Sequence, residues 1–237
     1  EPEVKFKGIL RRVLFNQQKI KRANPMELHY KRLEGPTSLL MYSDSAFKKE
    51  DDTGHALTGG IYLRVNTKDL PLIATRAMNK LTVDPNKEIP VHVIDYVSRS
   101  QRHVTRSTFS SELFGACDTQ DHGFLLATIF HQLIVGACTA AEAKDLREYG
   151  GWAMPMILAL DAYSVFSAST SVSVKTPADS SLLAHLQYLR ELLDRDVLSE
   201  IWWCDTRDML ADGLTKGQVH RDALQRAMGG FIKLTQD

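Results

Sequence analysis

The chain has 237 residues, 43% of them hydrophobic and 24% charged, an ordinary globular composition large enough for one substantial core or two small ones. Lys+Arg and Asp+Glu both number 29, so the chain is formally neutral; this argues against a strongly basic nucleic-acid binder but not against an enzyme whose acidic site offsets basic substrate contacts. No apolar run nears the roughly 18 residues that span a bilayer, the first residues do not read as a signal peptide, and Cys117, Cys138 and Cys204 form neither a zinc pattern nor a disulfide framework, which points to a reducing compartment.

The chain opens on a basic segment. Between Lys5 and Arg32 nine lysines and arginines face Glu27 alone, and Ile9, Leu10, Val13 and Leu14 are spaced for a short amphipathic helix. The segment reads either as a phosphate-contacting arm or as a solvated helix face with a linker. Asn24-Pro25 and Gly35-Pro36 break it. From residue 39 the rhythm changes. Leu39-Leu40-Met41-Tyr42 predicts a buried strand ending at Asp44, Lys48 to Gly54 a polar turn, and Leu57 to Val65 a second strand. A short helix is expected around Ile73 to Leu81, and Val91 to Val97 alternates as a half-buried strand does. Ser111 to Val135 has helical spacing, weakened in the middle by Gly123. Thr139 to Glu148 is a second helix, stopped by Gly150-Gly151.

Met156 to Leu160 is an uninterrupted apolar run, the pattern of a strand buried on both faces. A short helix over 162–168 follows, then a longer one over Asp179 to Asp194 with leucines along one broad face. Ile201-Trp202-Trp203-Cys204 is a last strand, whose adjacent tryptophans must face opposite sides. Helical pieces over 208–228 finish the chain. Three strands with short links predict an antiparallel meander, and strands reached through helices predict parallel additions. The expected architecture is therefore α/β, a five-stranded mixed sheet with three antiparallel strands, then two parallel ones, flanked by helices.

Four acids occur where strands end or helices begin: Asp44, Glu112, Asp161 and Asp212. Each has a structural explanation. Asp44 suits a turn, Asp161 a helix cap, and Glu112 and Asp212 the first turn of a helix. Together they suggest more, because carboxylates at the ends of central strands are costly unless a cation neutralises them. Oxygen-only donors favour Mg²⁺ or Mn²⁺ over zinc.

At these residues the sequence resembles the ribonuclease H domain of copia-type (Pseudoviridae) retrotransposon polyproteins. The motifs are Leu40-Met41-Tyr42-Ser43-Asp44-Ser45 followed by Leu57-Thr58-Gly59-Gly60-Ile61-Tyr62-Leu63, then Ser98-Arg99-Ser100-Gln101-Arg102 leading to Ser110-Ser111-Glu112-Leu113. They continue with Ile157-Leu158-Ala159-Leu160-Asp161 and with Leu210-Ala211-Asp212-Gly213-Leu214-Thr215-Lys216, the most specific of the four. Ile9 to Leu14 and Leu28 to Arg32 look like the tail of a preceding reverse transcriptase.

The resemblance implies a ribonuclease H-like domain over 39–237, with insertions near 66–90 and 136–155, behind a reverse-transcriptase tail and linker over 1–38. It implies endonucleolytic hydrolysis of the RNA strand of RNA–DNA hybrids by two Mg²⁺ (or Mn²⁺) ions, with Asp44, Glu112, Asp161 and Asp212 as catalytic, metal-holding acids. The implied partners are the hybrid and the reverse transcriptase of the same polyprotein, with no membrane, inside the cell: the cytoplasm, within virus-like particles, with the nucleus also open. Arg99, Arg102 and Arg106, which precede Glu112 with no intervening acid, are candidates to hold substrate phosphates, as are Lys175 and Lys216; ordinary surface charge is the other reading of each. His103 and His185 are open candidates for proton transfer.

Two positions depart from the family pattern. Phe114 stands where a second glutamate is common, and Ala162 where an asparagine often follows the third acid. They motivate an alternative: a degenerate, catalytically inactive domain that binds nucleic acid or only folds. A related nuclease acting on DNA junctions is a third reading.

Overall fold

The computed structural model describes residues 27–47, 55–71, 84, 86–173, 177–216 and 221–234. The strands are β1 (Thr37–Ala46), β2 (His55–Asn66), β3 (Ile89–Val104), β4 (Met156–Leu160), β5 (Glu200–Trp203) and β6 (Phe231–Ile232). The helices are α1 (Thr108–Ile134), α2 (Ala140–Tyr149), α3 (Tyr163–Thr170), α4 (Leu183–Asp194), α5 (Asp212–Thr215) and α6 (Asp222–Met228). The basic residues before position 27, the expected turn over 48–54, the expected helix over 73–81 and Lys175 lie outside the described residues.

The strands form one mixed sheet in the order β5-β4-β1-β2-β3-β6. β1–β2 and β2–β3 pair antiparallel, while β4 joins β1 and β5 joins β4 in parallel. The expected meander with two parallel additions is thus present, but the sheet has six strands rather than five. β6 is two residues long and exists through its pairing with Ile89 and Pro90. Two residues carry no periodicity, so nothing local announces such a strand.

β1 lies inside the sheet and is covered on both faces. Leu39 and Met41 join a core with Leu113, Ala116, Phe124, Val165, Leu186 and Leu189 of the helices on one side. Leu40 and Tyr42 join a second core with Ile61, Val91, Trp202, Met209, Leu210 and Ile232. The sheet is therefore a middle layer between α1, α3 and α4 on one face and Met209, Leu210, Ala211 and Ala227 on the other. Burying each of these leucines is worth about 1.5–3 kcal/mol. Of the paired tryptophans, Trp202 is in the second core, whereas Trp203 is partly exposed and packs edge-on against Tyr163 with ring centroids 5.5 Å apart.

α1 begins three residues earlier than the apolar spacing predicts. Ser107 accepts a hydrogen bond from the Ser110 N–H at 3.1 Å, and Ser110 Oγ accepts one from the Ser107 N–H at 3.1 Å, a reciprocal cap that adds a polar turn the periodicity does not register. α1 crosses β1 closely. A Cβ at Gly123 would lie 2.3 Å from Met41 Sδ, and one at Gly115 would lie 2.3 Å from Ser45 Oγ. The glycine that weakens the helical reading is where the helix meets the sheet.

β3 is longer than expected, since residues 98–104 continue its pairing with β2 past a bulge opposite Tyr62 and Leu63. The described part of the N-terminal segment lies on the β3–β6 side: the His29 N–H donates to Met228 O at 2.8 Å and Tyr30 Oη donates to Val93 O at 3.0 Å. No helix among the described residues is long and apolar enough to cross a membrane.

Candidate metal centre

The register of the parallel pair brings two acids together. Ser43 on β1 is opposite Leu160 on β4, so the next residues, Asp44 and Asp161, lie side by side at the same end of the sheet. Glu112 arrives from above, in the second turn of α1, at the place where Gly115 lets that helix touch Ser45. Carboxylate oxygens of Asp44, Glu112 and Asp161 all lie within 4.8 Å of one another. Asp44 is 1% exposed and Glu112 7% exposed, so neither charge is relieved by bulk water.

Burial pushes the Glu112 carboxyl up to about 9, and the charges of Asp44 and Asp161 add to that shift; Lys216 and a backbone hydrogen bond from Ser45 act in the opposite sense. Asp161 is pushed up to about 6, first by burial and then by Asp44. These three oxygen donors, crowded and mutually repelling, fit a hard divalent cation such as Mg²⁺ or Mn²⁺.

Asp212 starts α5, which lies against β2 beside Asp44. A Cβ at Gly59, the residue paired with Asp44, would lie 2.6 Å from Thr215 Cγ2 and 3.0 Å from Ala211 O, so the glycine admits this segment. Asp212 is not among the three converging acids. Its carboxylate is ion-paired with Lys216, whose Nζ also lies 3.3 Å from Asp44 Oδ1. Burial raises the Asp212 pKa, against the hydrogen bond from Lys216. Burial works against the Lys216 ammonium, but the hydrogen bond to Asp212 and the charges of Asp44 and Asp212 outweigh it, so its pKa lies above the usual lysine range. Lys216, a candidate for holding substrate phosphate, is engaged with the acids themselves.

Among the described residues, the other basic candidates form no ion pair with the four acids. Arg99 is paired with Asp118 at 3.2 Å, which leaves it less available to a phosphate than its position in the sequence suggests. Arg102 and Arg106 are exposed. Arg106 lines a groove of about 880 Å³ between the start of α1, α3 and residues 177–182, along with Phe109, Tyr163 and several serines. His103 and His185 both pack against Phe114, with ring centroids 5.5 Å and 4.8 Å away. Phe114, standing where another acid is common, thus offers an aromatic contact to two histidines.

Two supporting residues carry no separate sequence signal. Thr215 Oγ1 donates to Asp44 Oδ2. Buried Gln101 donates from Nε2 to Ser45 Oγ at 3.1 Å, Thr58 Oγ1 at 2.9 Å and Ser111 O at 2.7 Å, tying β1, β2 and α1 together next to Asp44 and Glu112. Both stand inside the quoted motifs, but only their contacts assign them a task. On the far side, Trp203 Nε1 donates to Asp161 O at 3.1 Å and fixes the chain as it leaves β4.

No family model matches the chain, and no curated protein matches it. Among solved structures it is similar to the N-terminal RNase H domain of a Mycobacterium tuberculosis protein, solved as a fusion with maltose-binding protein, at 13% identity and a TM-score of 0.40, covering 81% of this chain and 98% of that one. It is also similar to the protease-reverse transcriptase of prototype foamy virus, at 13% identity and a TM-score of 0.35, covering 85% of this chain and 22% of that one. Likenesses this loose say nothing of activity.

Proposed function

We propose that the chain is a ribonuclease H-like nuclease domain that hydrolyses the RNA strand of RNA–DNA hybrids with two divalent cations. The observation that carries this reading is the convergence of Asp44, Glu112 and Asp161 within 4.8 Å at one end of the sheet, with Asp212 joined to Asp44 through Lys216. Asp44, Glu112 and Asp161 would hold the cations through carboxylate oxygens, with Asp212 as the fourth acid. When bound, Mg²⁺ or Mn²⁺ supplies a water nucleophile at neutral pH and neutralises charge on the leaving 3′ oxygen. Thr215 hydrogen-bonds Asp44, and Gln101 braces Ser45 and Ser111, the residues beside Asp44 and Glu112, so little reorganisation is needed. Arg102 and Arg106 offer exposed positive charge to phosphates.

The four ordered motifs, above all Leu210 to Lys216, support a finer reading: a copia-type polyprotein in which a reverse transcriptase precedes this domain, with 1–38 as its tail and 66–90 and 136–155 as insertions. A cytoplasmic particle is where such a polyprotein would act. Incubating the protein with labelled hybrid and Mg²⁺ tests the activity. The expected result is metal-dependent cutting of the RNA strand, reduced at least about a hundredfold in Asp161→Asn. No cutting, or equal cutting by the variant, would refute it, and a preference for branched DNA would favour the junction-nuclease reading.

One observation favours the inactive alternative. Lys216 already supplies a positive charge between Asp44 and Asp212, and Phe114 and Ala162 add no further donors. Binding of hybrid without metal-dependent cleavage is its expected signature.

A further inference from the structure

The ion pair at the edge of the acidic site has a consequence for metal affinity. Lys216 lies four residues after Asp212, so within this short helical turn its ammonium reaches back to the Asp212 carboxylate, and it continues to Asp44 at 3.3 Å. Asp44 is thereby shared: one oxygen accepts from Thr215, the other faces Lys216, and the carboxylate also belongs to the converging trio. The contact partners of Lys216 are acids of the candidate metal centre. Its side chain is 36% exposed, so the ammonium has an open path to solvent if it leaves.

We propose that Lys216 is a tethered counter-cation that competes with divalent metal for Asp44 and Asp212, and so sets the metal affinity of the site. The inference rests on the reading that these acids hold a divalent cation. Without metal, the ammonium offsets the repulsion between Asp44 and Asp212 and keeps the 211–216 segment docked on β2. A divalent cation held by the acids would draw on the carboxylates that Lys216 now engages, leaving its partly exposed side chain free to turn outward. The same side chain that stabilises the metal-free protein therefore weakens metal binding. Placing one unit charge some 7 Å from a divalent ion in a water-like dielectric lowers affinity about tenfold.

Calorimetric titration of the full chain with Mn²⁺ tests this in wild type, Lys216→Met and Lys216→Arg, alongside melting in EDTA. The methionine variant should bind Mn²⁺ about tenfold more tightly and melt lower in EDTA, whereas the arginine variant should stay within about threefold of wild type. If methionine at this position leaves the chain unfolded in EDTA, its refolding on Mn²⁺ at concentrations below the wild-type Kd supports the inference, and failure to refold there overturns it. A second readout needs no substitution: acylation of Lys216, followed by mass spectrometry, should increase when wild type is loaded with Mn²⁺. Equal Mn²⁺ affinity in wild type and Lys216→Met overturns the inference and leaves the metal reading standing. No Mn²⁺ binding by either protein overturns both.

Discussion

Replacing Glu112 with glutamine isolates the largest electrostatic strain in the site. The side chain is 7% exposed and its carboxyl is pushed from 4.5 to about 9, so without a cation the folded protein holds a proton there that the unfolded chain releases. A carboxyl raised on folding contributes stability that is complete below about pH 4.5 and lost as pH rises toward 9. Each pH unit within that window removes about 1.4 kcal/mol. Asp161, raised to about 6, contributes a second loss that ends near that pH, and the acids titrate as an interacting set. Above pH 6.5 the slope therefore belongs mainly to Glu112. Urea unfolding in EDTA should show wild type losing about 2 kcal/mol between pH 6.5 and 8.0, and Glu112→Gln losing about 0.5 kcal/mol or less from this source. Comparing the two proteins removes the contribution of the histidines, which both share. Saturating Mg²⁺ should flatten the wild-type slope, because a bound cation keeps the carboxylate ionised. Equal slopes in wild type and variant, with and without Mg²⁺, would refute the argument that Glu112 is strained by burial and by its acidic neighbours.

Gly59→Ala should destabilise the protein by about 1–3 kcal/mol in thermal melts, because its Cβ would meet both Thr215 Cγ2 and the Ala211 carbonyl, and the latter is backbone that cannot rotate aside; an unchanged Tm would mean that the 211–215 segment docks more loosely than its geometry indicates. Gln101→Leu should cost about 2 kcal/mol in chemical unfolding, since Ser111 O loses its Nε2 donor in a buried site. Arg102→Ala and Arg106→Ala should each lower hybrid affinity and reduce the slope of log K against log salt by about 1, measured by fluorescence anisotropy across KCl concentrations. A slope equal to that of wild type would identify both as ordinary surface charge.

The central elements are legible in the chain because their neighbours are local. Met156 to Leu160 is apolar throughout, the pattern favoured in a strand flanked on both sides and covered on both faces, and it is observed at those bounds. α2 follows its Thr139–Glu142 cap and stops at Gly150, whose φ of 76° suits the residue after a helix. Where the local signal is weak the reading shifts. α1 gains a turn through a serine cap, β3 lengthens through pairing with β2, and the run expected as one helix over 179–194 starts with a 3₁₀ turn over Ser180–Leu182 before α4.

The sequence alone determined which acids matter as candidates and which strands carry two of them, because alternation, apolar runs and motif order are written in adjacent residues. Only the tertiary structure decided how those acids meet. Asp44 and Asp161 share an end because β1 and β4 pair in parallel with Ser43 opposite Leu160, Glu112 joins them because Gly115 lets α1 approach, and Lys216 stands between Asp44 and Asp212 because Gly59 admits the short helix α5. Contacts between residues far apart along the chain depend on strand register and on how closely backbones pack, and neither leaves a periodic mark in the residues concerned.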